Sequence, residues 1–341
     1  MTGPDPDGER RPDEPDRDPP ARPGTSTFTI EGRAAPALFV IGWLGSLMGL
    51  GLLFVSLQAG GGLAGSGLFI TALVLLSVGL VTAAGSQGIE RRARGVAAFA
   101  GPSPVLVFFA FVPAFILGTV AIATPLAIVG IELEGPTRIL LAATVQLLVY
   151  VGLVRLLVVD TRALSWAAMG FRGSPRSILG ELAIGASWAL PVIVLTAIVA
   201  VLLGSLLRVE PEGPLPPAGE PVGFAVNLIV AALIAPFGEE IFFRGFATTA
   251  WVRALGPARG IVRGGLFFAV VHVLTIEATA TGEGAALALI AFLTRVPVGL
   301  VLGWLYVRRD SIWAPIGLHA GFNGALVVLA ELATRSLPPT G

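Results

Sequence analysis

Long apolar runs recur at about 36–58, 66–86, 104–130, 138–158, 179–207, 222–250, 264–277, 285–307 and 311–334, and they constrain the fold of this chain more than any motif does. A helix needs about 20 apolar residues to cross about 30 Å of hydrocarbon, and several of the runs reach that length. With 55% of residues hydrophobic and 13% charged, the composition lies far outside that of a soluble globular domain. The expected fold is all-α, a polytopic transmembrane bundle of about eight to nine helices in the cell membrane. The run around 264–277 is the shortest and the weakest as a full crossing.

The remaining composition narrows the partners. All 22 basic residues are arginine and are matched by 22 acidic ones, so no basic domain points to nucleic acid. The absence of cysteine excludes disulfides, thiolate metal sites and a cysteine nucleophile. Residues 1–35 form a Pro/Asp/Arg-rich start, expected to be a disordered tail without a cleavable signal. Arginine then recurs loop by loop: Arg91, Arg92 and Arg94; Arg162 to Arg176; Arg253, Arg259 and Arg263; Arg308 and Arg309. The connections between these, near 131–136, 210–220 and 277–283, are acidic or nearly uncharged. By the positive-inside rule the tail and the arginine loops face the cytoplasm. The loop 159–178 interrupts the apolar pattern most, and it divides the chain into N-terminal helices over 36–160 and a core over 161–335 that holds every candidate catalytic residue.

Ionisable side chains at membrane depth cost upward of about 2.5 kcal/mol and mark functional interiors. The core contains a Glu239-Glu240 pair and both histidines of the chain, His272 and His319. Glu240 and Arg244 are spaced i, i+4 and share a helix face, acid before base. Glu239 lies about 100° around that helix, where Arg244 neutralises it less well, which suits it to general-base work. Phe268 and His272 share one helix face, as do His319 and Asn323. Imidazole and carboxylate could hold a nucleophilic water, directly or through a metal, and imidazole and amide N–H groups could steady an oxyanion.

The ordered series Glu239-Glu240-x-x-x-Arg244, Phe268-x-x-x-His272 and His319-x-x-x-Asn323, on separate apolar helices, resembles the CAAX-protease and bacteriocin-processing (CPBP) family of intramembrane endopeptidases. The segment Gly299 to Asn323 resembles the last conserved block of that family, and Met169-Gly-Phe-Arg172 a short motif ahead of its core. The resemblance covers roughly 165–330. It implies hydrolysis of a peptide bond near the cytoplasmic face, in which Glu239 and His272 activate water and His319 and Asn323 stabilise the oxyanion. Glu240, Arg244 and Phe268 would support the site. Zinc held by Glu239, His272 and His319 and a metal-free mechanism are equally compatible with it. The implied partners are the bilayer and a peptide or protein substrate, lipid-modified or membrane-embedded. Arg295 departs from the family pattern, and it should snorkel, face a water-filled cavity or pair with Glu277 or Glu283. The alternatives from other classes are a non-catalytic scaffold or immunity-type protein and, behind it, a proton-coupled transporter.

Overall fold

Proline is the first residue of five helices, where its fixed φ is already helical and its missing N–H would have no partner in any case. In the computed structural model these are α1 (Pro36–Ala59), α3 (Pro104–Ile128), α5 (Pro175–Ser187), α7 (Pro221–Ile229) and α10 (Pro257–Val273). The structure describes residues 29–60, 62–95, 98–133, 135–209, 219–274 and 282–336. The part of the expected tail over 1–28 therefore lies outside the described residues. Residues 29–33 form a turn in which the Arg33 N–H donates to the Ile30 carbonyl at 3.3 Å.

The other helices are α2 (Leu63–Arg94), α4 (Gly135–Val154), α6 (Ala189–Leu207), α8 (Ala235–Glu240), α9 (Thr249–Leu255), α11 (Gly282–Arg309) and α12 (Trp313–Ser336). No strand occurs among the described residues. Among the described residues, eight spans are long and apolar enough to cross a membrane; α5 with α6 makes one of them and α7 through α9 another. With its 17 residues, α10 reaches only about 25 Å. It is the short run expected from the sequence, and it must still reverse the chain so that α11 can return. Leu57 of α1 and Leu206 of α6 are 69% and 75% exposed, amid many other exposed apolar side chains on these helices. Lipid is the environment that suits such surfaces.

One aromatic core binds the two halves of the chain. Tyr150 of α4 stacks on Phe111 of α3 with ring centroids 4.0 Å apart, and its other neighbours are Phe242 and Phe243 just after the Glu pair. Phe108 of α3 touches Phe242 and Phe267, which extends the cluster to α10. Close approach does the rest. A Cβ on Gly317 of α12 or Gly185 of α5 would strike the backbone of the facing helix, at Leu182 and at Ala314 respectively. The absence of side chains there brings α5 against the turn of α12 that carries His319.

The short motif Met169 to Arg172 clasps the turn between α11 and α12. Gly170 adopts φ 84° and its carbonyl accepts from the Ile312 N–H at 3.2 Å. Arg172 pairs with Asp310 at 2.8 Å, and its carbonyl accepts from the Trp313 indole N–H.

Candidate active site

The helix carrying the Glu pair departs from α geometry on both sides of it. Residues Val230–Ile234 and Ile241–Thr248 wind as π-helix around α8. Such bulges recur at functional sites, and here the chain chemistry accounts for one of them. The Ala235 N–H donates to the Val230 carbonyl, five residues back. The next residue in that pattern is Pro236, which has no N–H to give to the Ala231 carbonyl. Asn323 of α12 supplies the donor instead, through Nδ2 at 3.1 Å. In the second bulge, the Thr248 and Thr249 hydroxyls donate to the Phe243 and Arg244 carbonyls.

Both glutamates end up inside. Glu240 is fully buried, and its Oε1 accepts from Arg244 Nη1 at 2.9 Å and from His319 Nδ1 at 2.8 Å. The i, i+4 pairing expected from the sequence is thus present, with His319 as a third member. Arg244 lies under the Phe268 ring, its Cζ 4.3 Å from the centroid, and reaches the Gly299 carbonyl at 3.5 Å. Phe268 also contacts both imidazoles, with centroids 4.2 Å from His272 and 5.8 Å from His319. It is a spacer that keeps the arginine and the two histidines in register.

Glu239 sits apart from that ion pair. Its Oε1 accepts from Gln146 of α4 at 3.4 Å, and its Oε2, with no hydrogen-bond partner among the described residues, lies 3.5 Å from His272 Nε2 and 3.9 Å from His319 Nε2. The ring partners fix which nitrogen bears the proton. His272 Nδ1 faces the Phe268 carbonyl at 2.8 Å and His319 Nδ1 faces the Glu240 carboxylate, and both of these partners only accept. Each Nδ1–H therefore donates, and both Nε2 atoms turn toward Glu239.

Glu239, His272, His319 and Asn323 line one cavity of about 420 Å³. All four candidate catalytic residues are thus brought to the same space. Arg295 lines it as well, with Nη1 donating to the Ala291 carbonyl at 3.1 Å. Of the fates expected for Arg295, facing a cavity is the one observed; Glu277 and the side chain of Glu283 lie outside the described residues. Two imidazole nitrogens and a carboxylate are the donor chemistry of an open zinc site. As arranged, however, no group of three or more His, Cys, Asp or Glu among the described residues is set to hold a metal ion.

Sequence reasoning missed three participants: Gln146, the Ala231 carbonyl and the π-helical turns. Only Pro236, following a run of apolar residues in the middle of a span, signalled a break in helix geometry at that point.

Residues 221–325 match the family model described as type II CAAX prenyl endopeptidase, Rce1-like. The match opens with α7 and closes just past Asn323, so it takes in Glu239, Glu240, Arg244, Phe268, His272, Arg295, His319 and Asn323 and leaves out Met169 to Arg172, Gln146 and the α6 residues that line the cavity. No curated protein and no solved structure matches the chain. The match falls on helices whose side chains converge on the cavity: over residues 221–325 this multi-pass membrane protein is similar to the Rce1-like type II CAAX prenyl endopeptidase domain, a likeness that implies a peptide hydrolase.

Proposed function

We propose that Glu239 and His272 activate a water molecule for attack on a scissile peptide carbonyl, and that His319 and Asn323 steady the oxygen as it becomes negative. The observation that carries this reading is the convergence of Glu239 Oε2 with the two Nε2 atoms, at 3.5 and 3.9 Å. A water between these groups would give one proton to the Glu239 carboxylate while its oxygen bonds to the carbonyl carbon. Collapse of the tetrahedral intermediate breaks the C–N bond, and Glu239 returns the proton to the leaving amine. Charge thus stays balanced at each step.

The oxyanion role requires donors. Asn323 Nδ2 carries two N–H groups; one goes to Ala231, which leaves one for the substrate oxygen. His319 donates from Nε2 only in its doubly protonated form, because Nδ1–H is held by Glu240. Glu240, Arg244 and Phe268 act as supports. Gln146 and Tyr150 extend the support into the N-terminal helices, so catalysis is assigned to 161–335 with a contact contributed by 36–160. The substrate is a peptide or protein that reaches the cavity from the bilayer, and the cleaved segment is lipid-modified or membrane-embedded.

The test is cleavage of a peptide library by the purified protein. Glu239→Gln should abolish hydrolysis with unchanged melting, and comparable activity of this variant and the wild type would sink the assignment. Asn323→Ala should lower turnover about 100-fold with little change in affinity, in line with the loss of one oxyanion donor. Metal stoichiometry measured alongside separates the zinc reading, in which His319→Ala removes bound metal and Asn323→Ala does not.

A further inference from the structure

Among the described residues that line the active-site cavity, Arg295 is the only arginine. It sits mid-way along α11 in the stretch Ala291-Phe-Leu-Thr-Arg-Val-Pro-Val298, where small and apolar residues would pack at no electrostatic cost. An internal acid would explain it, yet no ion pair among the described residues includes Arg295. Glu239 is near enough to interact electrostatically, but it is turned toward the histidines.

A guanidinium offers five N–H donors in a planar fork. Arg295, which lines the cavity, gives one of them to the Ala291 carbonyl, and its guanidinium makes no other hydrogen bond among the described residues. The walls around it are mostly apolar, with Ile193, Val230, Val298, Phe322 and Leu326. Such a chamber fits an apolar peptide segment that carries one negative group. Two parallel N–H donors match a carboxylate in geometry and in charge.

We infer that Arg295 binds a carboxylate of the substrate and so sets which peptide bond lies against Glu239. The inference rests on the reading of the cavity as a peptidase site. The carboxylate is either the free α-carboxylate at the end of the peptide or the side chain of an acidic residue beyond the scissile bond.

The test is binding to the full chain in lipid nanodiscs, followed by fluorescence. The probes are a dansylated farnesyl-cysteine tetrapeptide ending Val-Ile-Met as free acid, the same peptide as its C-terminal amide, and the amide with Glu in place of Met. The wild type should bind at least one carboxylate-bearing probe about tenfold or more tightly than the neutral amide. Preference for the free acid alone identifies the α-carboxylate, and restored binding of the Glu-bearing amide identifies a side chain. In Arg295→Gln the discrimination should collapse, and in Arg295→Lys it should partly return. Equal binding of all three probes by the wild type, binding of none, or discrimination that survives Arg295→Gln in a protein of normal melting temperature would overturn the inference. Cleavage of the free acid, recorded in parallel, reports on the peptidase reading alone. Charge-selective binding without cleavage would fail that reading while upholding the carboxylate site.

Discussion

Glu239 and Glu240 are neighbours in the chain and do different work. Glu240 is locked between Arg244 and His319 with no exposure, so removing its charge strands an arginine that is 1% exposed. Breaking one side of a buried pair costs about 3–5 kcal/mol. Glu240→Gln and Arg244→Ala should therefore lower the melting temperature and the folded yield together with activity. A Glu240→Gln protein that melts like the wild type but cleaves nothing would move Glu240 from support to chemistry. The pairing of Glu240 with Arg244 was legible from the sequence because four residues is one helical turn. The bond from His319 was not, since it spans 79 residues and depends on how α12 is set against α8. Arg295 was legible only as an anomaly, because its meaning comes from a cavity that four other helices build.

At the scale of the elements, hydrophobic periodicity read the spans well, and it misplaced the ends where helices change character. The run expected over 264–277 is α10, which begins at Pro257 and ends at Val273, one residue past His272. The run over 222–250 is a chain of α and π segments that reaches Leu255, and no periodicity argument reports a π turn. Such turns follow from donor bookkeeping around Pro236 and from two threonine hydroxyls. The seating of α12 is set by glycine. Gly317→Val would push α12 off Leu182 and displace His319, two residues on, at an overpacking cost of about 1–3 kcal/mol. Gly51→Val on α1, where a Cβ meets nothing within 4 Å, is the matched control. The expected outcome is lower melting and lost turnover for the first and neither for the second. Wild-type turnover in Gly317→Val would show that the α5–α12 contact does not position the site.

For the molecule as a whole, the arginine connections are tied to one another at one end of the bundle. Arg92 Nη1 donates to the Thr161 carbonyl at 2.6 Å, Arg172 pairs with Asp310, and Arg309 holds Glu181 of α5 through two bonds of 2.5 and 3.0 Å. Glu90 caps the start of α1 at that end, accepting from the Ala34 N–H at 2.9 Å. The α9–α10 turn joins them, since Arg259 and Arg263 border the same groove as Ser103 at the start of α3. The far end carries only isolated arginines, Arg138, Arg208 and Arg335. Clustered arginine is retained on the cytoplasmic side of a membrane, so this end should face the cytoplasm. His319, in the second turn of α12, then lies in the cytoplasmic half of the bilayer. The chain has no native cysteine to remove before the test. Single cysteines replacing Arg94, Arg162, Arg259 and Arg308 should react with an impermeant maleimide only after the cytoplasmic face is opened. Cysteines replacing Leu63 and Val129, which are 96% and 69% exposed at the other end, should react in intact cells. Labelling of any two of the four arginine positions from opposite faces would overturn both this orientation and the depth assigned to the catalytic cluster.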